Sequence, residues 1–190
     1  MASKGIDIQW DDSEATEQMR RQAKWLSPHE LAKAGAAAIN RAMRTARTHG
    51  GRAVRQTVAV SASTAKEKIV PHRATPARLE ARLEFDTSPI PLKGYGAKEL
   101  KRGVSFRTHK RHGRQKVRDY FISRKMGGHV FRRKRQGDGL APRLPVQLVY
   151  GPPIGSAFDR AVPVMRGQAQ RVMEERMRHE IDWRVKRANR

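Results

Sequence analysis

The sequence predicts an α+β fold: a long N-terminal helix, an antiparallel β-sheet with basic hairpin loops, and a C-terminal helix packed on the sheet. Three observations predict it. Apolar residues recur at helical spacing from Leu31 to Val58 and again from Phe158 to Ile181. Between them, apolar and polar residues alternate strictly in several short runs. Helices before and after a block of strands favour an antiparallel sheet with helices on one face.

The elements follow in chain order. Ile6, Ile8 and Trp10 alternate within a polar, acidic start, as a short strand or docking arm would. Residues 1–26 are therefore read as an acidic N-terminal arm, and 27–190 as a single domain. Ser27-Pro28-His29-Glu30 is a helix start. Ser27 caps, Pro28 takes the first helical position, and Glu30 completes a capping box. Leu31, Ala34, Ala38, Met43, Ala46, Ala53, Val54 and Val58 then share one face. Gly50-Gly51 interrupts this helix, and each Gly costs about 1 kcal/mol relative to Ala, so a bend is expected there. Ser61 to Val70 reads as a second, short helix ended by Pro71.

Strands come next. Leu79, Ala81, Leu83 and Phe85 alternate with charged neighbours. Val104 with Phe106, Tyr120 with Ile122, and Leu144, Val146, Leu148 and Tyr150 repeat the pattern. Gly113 marks one turn and Gly127-Gly128 another. Gly151-Pro152-Pro153 stops the last strand. Phe158, Val162, Met165, Ala169, Val172, Met173 and Ile181 return to helical spacing, with Pro163 expected in the first turn.

Charge carries the functional information. The chain has 41 Lys and Arg against 18 Asp and Glu, a formal net charge of +23. Such a balance speaks of partners rather than of fold: nucleic acid, an anionic surface or an acidic protein. It is also polarised. Residues 101–136 hold 14 Lys or Arg and one acid, Asp119, whereas residues 1–20 hold five acids against Lys4 and Arg20. Head-to-tail contact between copies would suit that distribution. Lys110, Arg111, Arg114, Lys116 and Arg118 form one candidate cluster facing DNA or an acidic partner, and Arg132, Arg133, Lys134 and Arg135 form another. Two adjacent hairpins are expected to present both on one edge. Ile6, Ile8, Trp10, Asp11 and Asp12 are the candidate subunit-interface arm.

Other chemistry is poorly supported. His109 and His112 are spaced like a metal clip, but no Cys, Asp or Glu stands nearby to finish a shell, and the surrounding cations repel a metal ion. His129 is assigned to the glycine turn. No phosphate-binding glycine loop ending in Lys-Ser/Thr and no nucleophile elbow occurs, so no catalytic residue and no cofactor is assigned. The carboxylates near the start do not suit a nuclease, whose metal site wants them at strand ends. Few aromatics interleave the basic runs, which disfavours stacking on single strands. The absence of cysteine excludes disulfides and fits a reducing compartment. Met1-Ala2-Ser3-Lys4 does not begin a secretory signal. No apolar run approaches the ~20 residues of a membrane span, so a soluble protein is expected. Hydrophobic content of 37% predicts a modest core, supported in part by neighbours in an assembly.

Several motifs together resemble a known family. Phe121-Ile122 is followed by Gly127-Gly128-His129-Val130-Phe131, then by Leu144-Pro145-Val146-Gln147-Leu148-Val149-Tyr150-Gly151-Pro152. Ala37-Ala38-Ile39-Asn40-Arg41-Ala42 and Arg73-Ala74-Thr75-Pro76-Ala77-Arg78-Leu79-Glu80-Ala81 precede them. In this order they resemble the minor tail protein Z family, the tail completion proteins of long-tailed phages and prophages, from about Leu31 to Arg178. Gly50-Gly51 and the basic expansion at 132–139 depart from the pattern. The resemblance implies a structural virion protein of the neck or upper tail, assembled in the host cytoplasm. Such a protein completes the tail and helps connect it to the head, as a homo-oligomeric ring around the DNA channel. It also implies neighbours among the tail-terminator, tail-tube or head-connector proteins, possible non-specific contact with packaged DNA, and no enzyme activity. The competing expectation is a free, non-specific nucleic-acid-binding protein, which the charge favours and the lack of a DNA-binding motif does not.

Overall fold

The computed structural model describes residues 5–9, 21, 24, 26–133 and 145–188. Strand β1 (Gly5–Gln9) precedes the long helix α1 (Pro28–Thr57). A short helix α2 (Ala62–Glu67) leads to β2 (Ile69–His72) and β3 (Glu80–Phe85). A 3-10 turn (Leu92–Tyr95) opens a run of short strands: β4 (Lys98–Glu99), β5 (Val104–Phe106), β6 (Gln115–Val117), β7 (Tyr120–Ser123), β8 (His129–Arg133) and β9 (Val146–Leu148). Helix α3 (Gly155–Ala188) closes the order.

Helix α1 starts where the capping residues place it. Ser27 Oγ accepts from the Glu30 amide at 3.3 Å, and Pro28 occupies the first turn. The Glu30 carboxylate turns to Lys33 at 2.9 Å and to Arg184 of α3 at 3.3 Å, tying the helix start to the other long helix. No break occurs at the glycine pair, and α1 runs through all 30 residues, about 45 Å at 1.5 Å per residue. The reason lies in α3. A Cβ on Gly50 would stand 2.4 Å from Met165 Sδ, so the glycine is the notch through which Met165 packs. Tertiary packing there offsets the weak helix propensity of glycine. Ala34, Ala38, Ile39, Ala42, Met43 and Ala46 continue the buried face, and the alanines among them let α3 approach closely along the helix.

Helix α2 is capped by Ser61, whose Oγ accepts from the Thr64 amide at 3.0 Å. It ends at Glu67, earlier than expected, and Ile69-Val70 belong to β2. Proline at position 71 is tolerated because β2 is an edge strand, where a missing N–H need not break the ladder. The first sheet has the order β1-β3-β2, all antiparallel, with Ile6 opposite Leu83 and Ile69 opposite Phe85. Its inner face carries Ile6, Ile8, Ala81, Leu83 and Phe85 into the main core. Phe85 stacks on Phe158 of α3, ring centroids 4.6 Å apart, so the C-terminal helix packs on this sheet as well as on α1. Leu79, expected as the first inward residue of β3, lies outside the strand and is 36% exposed. Asn40 fixes the turn before β3: its amide donates to Ala74 O at 2.9 Å and its carbonyl accepts from Ala74 N at 3.0 Å.

The remaining strands do not extend this sheet. They form two further three-stranded antiparallel sheets, β4-β5-β6 and β7-β8-β9. Leu92, Val104, Phe106 and Val130 are buried between them, with Val117, Tyr120, Ile122 and Val149 packed around. This small second core is separate from the one between the helices and the first sheet. Gly127 and Gly128, both at φ near +70°, make the turn from β7 to β8, and Ser123 O accepts from Gly128 N at 2.9 Å. The last alternation slips after Leu148. Val149 turns inward, while Tyr150, expected inside, is 53% exposed and bridges to Pro91. Leu144 lies outside the described residues. Helix α3 begins at Gly155, so Pro163 sits inside it rather than in its first turn. There it removes the amide hydrogen that would meet the Asp159 carbonyl.

Candidate functional site: a basic β-unit

The small second core holds together a unit whose surface is dominated by cations. Lys98, Lys101, Arg102, Lys110, Arg111, Arg114, Lys116, Arg118, Arg124, Lys125, Arg132 and Arg133 are all exposed on it. The two clusters expected from the sequence are divided differently in space. Strand β6 runs from Gln115, opposite Phe106, to Val117, opposite Val104. Lys110, Arg111 and Arg114 therefore belong to the tip between β5 and β6, whereas Arg118 leaves the far end of β6. Tyr120 pairs with Arg132, so Arg118 lies at the same strand end as Arg132 and Arg133. The expected single edge becomes two basic ends about 13 Å apart, at 3.3 Å per residue from 114 to 118. Lys134 and Arg135 lie outside the described residues.

The tip is held by two arginines with different duties. Arg107 donates to the carbonyls of His109 (3.3 Å), Lys110 and His112 (2.8 Å). Arg114 donates to Gly96 O at 2.7 Å and Ser105 O at 2.8 Å, and its guanidinium also reaches Ser105 Oγ. These acceptors are neutral, so the positive charges are positioned without being cancelled. The tip is also seated on the end of α1, through Lys110 N to Thr57 O at 3.0 Å and Ala59 N to Thr108 O at 2.9 Å. Lys110 and Arg111 project from a fixed frame. Arg107 escaped the sequence reading because its role depends on the loop doubling back, which charge counts do not report.

At the other end, Arg132 donates to Gln147 Oε1 at 2.9 and 3.1 Å across β8 and β9. Arg133 lies over the Phe121 ring, 5.7 Å from its centroid. His109 and His112 meet edge to face with centroids 5.9 Å apart, and among the described residues no three potential ligands gather as a metal site. A cleft of about 680 Å³ lined by Ser63, Thr64, Lys68, Lys93 and His129 lies beside the unit. Its cations serve the fold: Lys93 donates to Gly127 O at 2.7 Å, and Lys68 pairs with Asp86 at 2.6 Å. Burial of the Asp86 carboxyl pulls its pKa upward, but hydrogen bonds from Lys68 and Ser88 outweigh this and hold it down at about 2.

The N-terminal candidates also divide. Ile6 and Ile8 are 1% and 5% exposed in β1, facing the chain's own core. As anchors for a neighbouring subunit they are corrected: pairing with β3 consumes them. Trp10, Asp11 and Asp12 lie outside the described residues. No helix among the described residues is long and apolar enough to cross a membrane.

Comparison with known proteins gives one family. The model of the family described as Prophage minor tail protein Z (GPZ) matches residues 15–190. No curated protein and no solved structure matches the chain.

Proposed function

The chain belongs to the prophage minor tail protein Z family and is a structural protein of a phage tail, and from that premise we propose that it completes the upper tail and helps join it to the head. In this reading it acts at the neck as a homo-oligomeric ring around the DNA channel, against tail-terminator, tail-tube or head-connector proteins. One observation supports the placement beyond the family itself. Residues 101–133, most of the β-unit, hold 12 Lys or Arg against one acid, Asp119, whereas the 14 Lys or Arg of the two long helices stand among six acids. Such a concentration of unbalanced positive charge suits the side of a ring subunit that faces DNA or an acidic ring. We assign Lys110, Arg111, Lys116, Arg118, Arg132 and Arg133 to that side. A net charge of +23 also favours a second reading, a free protein that binds nucleic acid without sequence preference.

Complementation separates the two. A phage or induced prophage lacking this chain should release filled heads and separate tails that do not join. Supplying the chain during assembly should restore joined particles. Normal yields of joined, infectious particles without the chain would remove it from tail completion.

A further inference from the structure

We propose that the outer face of the β4-β5-β6 sheet is a sequence-independent docking surface for the phosphate backbone of duplex DNA, with Lys98 and Lys116 as its central contacts. The proposal deepens the reading of a neck protein, since it names the partner of the basic unit and the face that meets it.

Register defines the face. Val104 and Phe106 turn into the small core, so Ser105 between them points the other way. Lys98 and Lys116 are its partners on the two flanking strands, which makes one row, Lys98–Ser105–Lys116, on the same side of the sheet. The side chain of Arg114 reaches Ser105 Oγ and thus lies on this side too. Arg107, the residue after Phe106, falls on this side by the same alternation. Ser105 itself is 5% exposed, covered from above while its lysine neighbours stand in solvent.

The composition of this row decides between partners. Protein–protein interfaces are built around an apolar or aromatic centre and are depleted in Lys. Here a serine occupies the centre and lysines flank it. Protein–DNA interfaces, in contrast, are polar and strongly positive, and lysine serves phosphates as a mobile point charge. Among the described residues, Lys98 and Lys116 make no ion pair, so binding phosphate requires no internal bridge to be broken. Arg114 and Arg107 donate to carbonyls and a hydroxyl, which fixes the surface before any partner arrives. No aromatic side chain lies in the row to stack on a base. Contact is therefore with backbone, not with sequence.

The test uses the purified full-length chain and a short fluorescent duplex of arbitrary sequence, with anisotropy read across a salt series. Each phosphate contact contributes about 0.9 to the slope of log affinity against log salt, so K98Q/K116Q should flatten that slope by about 1.8. Should the double variant melt early, each single variant is measured instead, and each should flatten the slope by about 0.9. R160Q/R166Q removes the same charge from exposed positions on α3 and should leave the slope nearly unchanged. An unaltered slope in K98Q/K116Q, or an equal change in R160Q/R166Q, would overturn the proposal. So would displacement of the duplex by poly-glutamate as effective, at equal charge, as displacement by unlabelled duplex; the face would then belong to an acidic protein. Because the assay needs no particle, its failure is distinct from failure of the neck placement, which particle assembly decides.

Discussion

Two adjacent glycines show how residue-scale geometry sets opposite outcomes for one substitution. Gly50 and Gly51 are both buried in α1 and both carry the same cost in helix propensity. A Cβ at Gly50 would meet Met165 Sδ at 2.4 Å and Cε at 2.8 Å, and Met165 is 0% exposed, with little room to retreat. A Cβ at Gly51 would meet nothing within 4 Å. G51A should therefore stabilise the protein by about 0.5–1 kcal/mol, the helix-propensity gain alone. G50A has the same gain set against overpacking of about 1–3 kcal/mol, and should be destabilising overall. Chemical denaturation of the two variants checks this, and equal midpoints would show that Gly50 is not the crossing point of α1 and α3. The same contact explains why the helix continues through the glycine pair. Propensity was legible in the sequence, but Met165 lies more than a hundred residues along the chain, and no local pattern announces it.

At the scale of elements, patterns that depend on neighbours in sequence were readable, and those that depend on pairing were not. The Ser27 and Ser61 caps, the alternation at Ala81, Leu83 and Phe85, and the Gly127-Gly128 turn all stand where local chemistry places them. Pro71 ended the second helix too late, because an edge strand accepts a proline that a helix interior would reject. The division of the strands into three sheets, and of the basic residues between two strand ends, follows from register, which a single sequence does not state. Strand β1 shows the consequence. Its Ile6 and Ile8 alternate equally well for a docking arm or for an edge strand, and its pairing with β3 chooses the second. Truncation of residues 1–9 should thus damage the fold itself: I6A alone should cost about 2–5 kcal/mol, the usual range for emptying a buried aliphatic site. Thermal melting of I6A beside D7N, an exposed neighbour on the same strand, checks it. Equal and small shifts would mean that β1 is not part of the folded core.

The whole molecule joins a pair of long helices to a smaller β-unit in which positive charge is least balanced by acids. Helices α1 and α3, each 30 residues or more, pack along one another and on the first sheet, and the smaller β-unit hangs beside them with its own core. Composition alone pointed to an anionic partner, since a net charge of +23 favours binding to nucleic acid or acidic surfaces. Motif order pointed to the family, and the family match over residues 15–190 places the chain in a phage tail. The proposed position within that tail draws on the unbalanced charge of the β-unit, and imaging tests it most directly. Electron cryo-microscopy of particles carrying a tagged copy of this chain should find a ring of tag density at the junction of head and tail, with the β4-β5-β6 face toward the channel. Tag density confined to the distal tail, or particles that contain none of the chain, would contradict the account.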